Sequence, residues 1–268
     1  MKNMKAFILA LLFILVGGHA FSQNEEEEIL KTNDWEAIIS PYAFLAAQST
    51  DVGGEKIRQS FSDLSSITNT GFQIAVSVKY KRFITRFDGT WAWLATEEKS
   101  SALEVEANIR QQILDFRGGY IVYENLSMAS NEVIKGWDLE VNAGAKYWNN
   151  TVDIDYRVII NDIPILEGSI NEPQEWWDFM IGVKPTIYVT PRMKINTSFS
   201  AGGFGIGNSS KFTYDFIYAN SFKVTKLITV DAGFRNFMYD RVDGEGESQV
   251  DTRVNVIGPF VGVSIIWD

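Results

Sequence analysis

Eleven charged residues stand on the polar rows of alternating stretches: Arg86, Asp88, Asp115, Arg117, Asp138, Glu140, Lys146, Lys184, Lys194, Asp231 and Arg235. Six are cations and five are anions, nearly balanced in a chain whose formal charge is −10. Charges enclosed together must pair or stay hydrated, because an isolated ion away from water is very unfavourable. Near balance therefore suits an enclosed, salt-bridged interior, with Arg86/Asp88 and Asp115/Arg117 crosslinking neighbouring strands. A narrow pore for small solutes would use the same residues. Asp138 and Glu140 could instead share acid and base work in a carboxylate-only hydrolase, although same-face carboxylates more often balance cations.

Two further constellations have bland readings. Gly203, Phe204, Gly205, Ile206 and Gly207 look like a phosphate loop, but a dinucleotide fingerprint needs a helix after it, and here a second strand follows. Gly202, Gly203, Phe204 and Gly205 are read as a rim turn. Asp240, Asp243, Glu245, Glu247 and Asp251 could gather Ca²⁺, yet the spacing misses the EF-hand pattern, so a solvated acidic loop is expected.

Composition removes most other chemistry. The sequence has no Cys and one His, His19. Lys2 and Lys5, the apolar run Ala6 to Val16, and small residues Ala20 and Ser22 read as a secretory signal peptide over residues 1–22. The apolar run is too short to cross a bilayer as a helix. Its removal takes His19 away, which excludes His-dependent triads and imidazole metal sites, and the lack of Cys excludes thiol chemistry. Residues 23–34, with Glu25 to Glu28, form an acidic periplasmic leader. No cofactor, no metal and no enzymatic activity is expected, and the acidic balance argues against nucleic acid.

The elements that must position these charges follow a period of two. Phe72, Ile74, Val76, Val78 and Tyr80 alternate with Gln73, Ala75, Ser77 and Lys79, then Phe83 to Trp93 does the same after Lys81-Arg82. Similar rows recur at Leu114–Val122, Leu139–Tyr147, Phe179–Val189, Met193–Ala201, Phe212–Tyr218, Ile228–Phe234 and Ile257–Trp267. With Trp35–Ala47 the chain offers ten strands, within a range of eight to twelve. Links alternate in length: Lys81-Arg82, Thr190–Arg192 and Ala219–Lys223 are short, whereas 48–70, 97–108, 149–176 and 240–252 are long. Two links depart from this rule, 124–135 and 206–211. The pattern predicts, over residues 35–268, an all-β, closed antiparallel transmembrane β-barrel with short periplasmic turns and long extracellular loops.

Period two does not say which face looks inward. A soluble periplasmic lipocalin-like barrel would turn the apolar row toward an apolar ligand. Three features favour lipid outside: side chains such as Phe83, Trp91, Trp93, Phe116 and Phe179 are too bulky for a narrow interior, the polar rows are charge-balanced, and aromatics including Trp137, Trp148, Trp176, Trp177 and Tyr239 cluster near strand ends as girdles do. Pro41, Pro185 and Pro259 each predict a bulge or a strand terminus. Phe61 to Ile67 is expected to form a helical turn capped by Ser60 or Ser62, and residues 149–176 a hairpin extending the adjoining strands.

Several segments carry a resemblance. Pro41-Tyr42-Ala43-Phe44, Phe61-Ser62-Asp63-Leu64, Ala143 to Trp148, Trp177-Asp178 before Gly182, Gly202-Gly203-Phe204-Gly205 and the Gly258-Pro259-Phe260 close resemble a poorly characterised family of Gram-negative outer-membrane β-barrel proteins. Phe179 and Ser200 depart from it where Pro and Asp are usual. The family implies the barrel and no established activity. The last strand, ending Trp267-Asp268, is similar to those read by the barrel-insertion machinery. The expectation is an outer-membrane protein, monomeric, with periplasmic termini and outer-membrane lipids around it, serving a structural, binding or narrow-pore role.

Overall fold

The structure is a computed structural model and describes residues 34–99, 103–129, 133–160, 163–244 and 249–267. The expected signal peptide, the leader up to residue 33, Glu245, Glu247 and Asp268 lie outside the described residues. Alternating sequence becomes strand because successive side chains point to opposite faces of the pleat. In chain order the elements are β1 (Trp35–Phe44), β2 (Ala47–Val52), β3 (Glu55–Gln59), α1 (Phe61–Ile67), β4 (Thr68–Tyr80), β5 (Phe83–Lys99), β6 (Leu103–Ala129), β7 (Val133–Ile160), β8 (Ile163–Thr190), β9 (Met193–Gly202), β10 (Phe212–Lys223), β11 (Ile228–Asp243) and β12 (Val250–Trp267).

Ten of these strands close into the expected antiparallel barrel: β1, then β4 through β12 in sequence order, with β12 returning to pair with β1. The strand expected at 35–47 is interrupted at Leu45-Ala46, after which β2 continues along β12 and turns through Gly53-Gly54 into β3. Pro259 lies opposite that break, where its carbonyl accepts from Leu45 N–H at 2.9 Å. Pro41 and Pro185 correct the expectation of bulges. Both sit inside strands without a register shift, since a missing N–H interrupts the ladder toward one neighbour only.

Several links also differ from expectation. The stretch 219–223 is strand, and the turn comes later at 224–227, closed by Val224 N–H to Ile228 O at 2.8 Å. Ser221 lies in this extension, which pairs with both β9 and β11, and its hydroxyl donates to Asp231 inside the barrel. Much of 97–108 and 240–252 is paired strand rather than loop, since β5 and β6 stay in register to Lys99 and β11 and β12 to Asp243. The 149–176 hairpin forms as expected, carrying β7 and β8 beyond their neighbours.

Helix α1 begins where its cap predicts. Ser60 Oγ accepts from Asp63 N–H, and the Asp63 carboxylate accepts from Ser60 N–H at 2.8 Å, a reciprocal capping box. Those donors hold the Asp63 carboxyl below its ordinary range, the Ser60 backbone N–H most strongly. Most of α1 is exposed, so it packs at the rim near β2 and β5 and does not plug the lumen.

The apolar row faces outward. Phe116 is 44% exposed and Trp93 40%, whereas Asp115, next to Phe116, is 5% exposed. The polar row, with Asp115 on it, faces the interior. Outward aromatics pair across strands, as in Trp35–Tyr80, Tyr123–Trp137 and Tyr147–Trp177 with centroids 4.5 to 4.9 Å apart.

Candidate functional site

The inward row of six strands converges on one ion-pair belt. Lys146 of β7 donates to Asp215 of β10 at 2.7 Å and lies 3.3 Å from Asp115 of β6. Arg117, two residues along β6, grips Asp115 through Nε at 2.6 Å. From the opposite wall, Arg235 of β11 reaches Asp215 through Nη2 at 2.7 Å and Asp88 of β5 through Nη1 at 3.1 Å. Tyr42 of β1 closes the belt, donating to Asp88 and accepting from Arg235 at 2.8 Å. Among the described residues no buried side-chain nitrogen or oxygen lacks a hydrogen-bond partner. Fully paired, the belt avoids the heavy penalty of isolated buried charge.

The expected crosslink between Arg86/Asp88 and Asp115/Arg117 does not form. Register sets Arg86 opposite Arg117 and Asp88 opposite Asp115, like facing like. Repulsion is relieved by longer reach: Arg86 turns to Glu140 on β7, Asp88 to Arg235, and Arg117 to its own strand's Asp115. Asp138 and Glu140, the carboxylates that could share acid and base work, have separate partners, since Tyr188 donates to Asp138 at 2.9 Å and Arg86 clamps Glu140.

Above the belt, toward the end where β5 to β8 protrude, lies an aromatic layer. Trp148 and Trp176 stack with centroids 5.8 Å apart, Tyr239 sits 5.0 and 5.2 Å from them, and Phe237, Ile113, Val254 and Val256 complete the cluster. Trp148, Trp176 and Tyr239 were expected in an outer girdle. They point inward because they share parity with Lys146, Asp178 and Arg235, and their outward neighbours Tyr147 and Trp177 take the girdle position.

Asp178 fastens the rim turn to this layer. Its carboxylate accepts from Trp148 Nε1 at 2.8 Å, from Ser210 N–H at 2.7 Å and from the Ser210 hydroxyl, while Trp176 Nε1 donates to Ser210 Oγ at 3.0 Å. Arg241 adds a second hold, stacking 4.4 Å above Trp176 and donating to the Asn208 carbonyl at 3.1 Å. The turn itself runs from Gly202 at the end of β9 through Gly203, Phe204 and Gly205, all three with positive φ, into β10. A strand does follow, as the sequence reading required. Of the acidic residues considered for Ca²⁺, Asp240, Asp243 and Asp251 are instead paired with Arg253, Arg241 and Lys211.

No family model matches the sequence, and no curated protein matches it. Among solved structures, the outer membrane protease OmpT of Escherichia coli is similar over 91% of this chain and 99% of that chain, at 10% identity and a TM-score of 0.52. The fold is that of an outer-membrane β-barrel. The attachment invasion locus protein Ail of Yersinia pestis is similar over 87% of this chain and 98% of its own, at 8% identity and a TM-score of 0.36.

Below the belt the outer-membrane-type barrel changes character. A cavity of about 270 Å³ extends toward the short-turn end, lined by Lys184, Lys194, Asp231, Arg86 and hydroxyls such as Ser40 and Ser198. Asp231 is held there by the hydroxyls of Ser221 and Ser264, and Ser264 is in turn bonded to Ser40. All eleven charges singled out in the sequence thus lie on the inner side of the wall. Sequence reasoning did not count Tyr42, Asp178, Asp215 and Arg241 among the interior candidates, although Asp178, Asp215 and Arg241 share the inward parity of their strands. With Asp178, Asp215 and Arg241 added, these interior charges number seven of each sign.

Proposed function

We propose that this chain is an integral outer-membrane protein whose barrel is sealed, a structural and binding element rather than a pore or an enzyme. The observation that carries the reading is a double closure: the Trp148/Trp176/Tyr239 layer and, directly beneath it, the Lys146–Asp215–Arg235 belt, with Trp148 and Lys146 both 0% exposed. An interior of this width is readily filled by side chains. Ions crossing it would have to separate buried pairs, each of which holds its partner in a medium far less polar than water.

Placement across a bilayer is supported by the outer face. Trp137 stacks on Tyr123 near one end of β7, and Tyr147 packs tilted against Trp177 ten residues further on. Ten residues of strand, tilted as barrel strands are, rise roughly 25 Å, the height of a lipid-facing band. Exposed Val141, Phe179, Ile181 and Val183 occupy the interval. The lack of His and Cys beyond His19 supports a non-catalytic role.

The experiment is conductance of the full chain in planar bilayers, with folding and insertion verified by heat-modifiable migration and vesicle flotation. The wild type is expected to be silent, and W148A/W176A to show intermittent leak. A steady ohmic step from the wild type overturns the reading.

A further inference from the structure

Lumen cations divide into two groups. Arg86, Arg117, Lys146 and Arg235 each hold a carboxylate. Lys184 of β8 and Lys194 of β9 do not: among the described residues neither ammonium has a carboxylate within 4.0 Å. Both line the cavity at the short-turn end, alongside Asn142, Asn196 and Ser198.

We propose that Lys184 and Lys194 form a binding site for a small oxyanion, of the phosphate, sulfate or carboxylate class, inside the short-turn half of the barrel. An ammonium offers three donors and no acceptor, and it binds phosphate as a point charge. Two of them on adjacent strands, four residues apart in register and lining one cavity inside the barrel, attract an anion more strongly than they would at an open surface. The carboxylates near them are each held by other donors. Glu140, which faces Lys184 across the β7–β8 ladder, is clamped by Arg86, Asp138 accepts from Tyr188, and Asp231, two strands from Lys194 on the same row, accepts from Ser221 and Ser264. The negative charge of Asp231 disfavours an anion along β11 and β12, which confines the site to the β8–β9 side.

Size and access agree with this assignment. A cavity of about 270 Å³ is smaller than pockets for drug-sized ligands, and suits an anion of a few heavy atoms with its water. Lys184, Lys194 and Arg86 are half-buried, whereas Lys146 at the belt is wholly buried, so solvent reaches the site from the short-turn end and stops above it. The strand wall separates the site from the outer face, which favours a free anion over a phosphate carried on a lipid.

The test titrates the full-length protein in lipid-free micelles with inorganic phosphate and with sulfate at constant ionic strength, followed by calorimetry and by the thermal unfolding midpoint. Saturable binding and a raised midpoint are expected. Each of K184M and K194M should weaken binding about tenfold or more, the loss of one hydrogen bond to a charged group. K211M, which changes an exposed lysine at the rim, should leave it intact. K184Q and K194Q serve if a methionine variant does not fold. Vesicles containing phosphatidate form a second arm: a response to these alone would place the anion on a lipid and overturn the proposal. So would absence of saturable binding, or equal binding by K184M/K194M. Conductance is recorded separately, because the site stands whether or not the lumen is sealed.

Discussion

Lys146 and Asp215 are 69 residues apart in the chain and 2.7 Å apart across the lumen. Each also has a second tie, Lys146 to Asp115 and Asp215 to Arg235. D215A leaves the buried cations Lys146, Arg117 and Arg235 to share Asp115 and Asp88, one charge uncompensated, and is expected to lower the unfolding free energy by about 3–5 kcal/mol. The double variant K146M/D215N leaves two complete pairs, Arg117–Asp115 and Arg235–Asp88. Urea unfolding in micelles should therefore show the double variant losing less than the sum of its singles, by about 0.5–3 kcal/mol. Strict additivity would mean that the belt does not act as one network.

Asp178 ties Ser210 to Trp148, so D178A should release the rim turn. The freed buried donors cost about 1–3 kcal/mol each. Limited trypsinolysis reads this directly at Lys211, the only basic residue of the 203–211 link. Cleavage there is expected to speed up about tenfold or more in D178A, and an unchanged rate would show that the turn is held by other contacts.

How much of this was legible in sequence depended on parity. Lys146 and Arg235 were assigned inward correctly because strand alternation has period two and a barrel keeps one face inside. Trp148 was assigned to the girdle because residue type was weighed over its shared parity with Lys146. Asp215 was missed inside a run read as apolar, Phe212 to Tyr218. Which charges pair was not legible at all: Lys146 meets Asp215 only after the sheet has curved through β7, β8, β9 and β10, and like-charge register at Arg86/Arg117 depends on pairing that no local signal sets. The β2–β3 hairpin did carry a signal, Gly53-Gly54 between polar runs, but without alternation on either side it read as loop.

A lipid-facing band should reject charge. Val141 is 41% exposed on the outer face, midway between Trp137 and Tyr147. V141R is expected to cost about 2–4 kcal/mol in lipid vesicles. Unfolding and refolding titrations in those vesicles provide the measurement, and a neutral result would argue that water covers that face.

The α1 cap should be pH-dependent. Since Ser60 donors hold the Asp63 carboxyl below its ordinary range, the cap adds stability that is present above the unfolded-state value, near 4, and is lost as pH falls through the folded-state value. Hydrogen exchange of Asp63 and Leu64 amides should show protection decreasing in that acid range. D63N should have weaker protection with no such dependence, and wild-type protection unchanged through the acid range would contradict the capping role.

The central claim is that lipid lies outside this wall and water with ions inside. The chain contains no Cys, so single cysteines can be placed in turn from 179 to 187 on β8 and spin-labelled in lipid vesicles. The account expects oxygen accessibility to peak at the odd positions Phe179, Ile181, Val183 and Ile187, and a water-soluble nickel reagent to favour even positions such as Lys184. Inverted phases, or water-soluble access at every position, would contradict it.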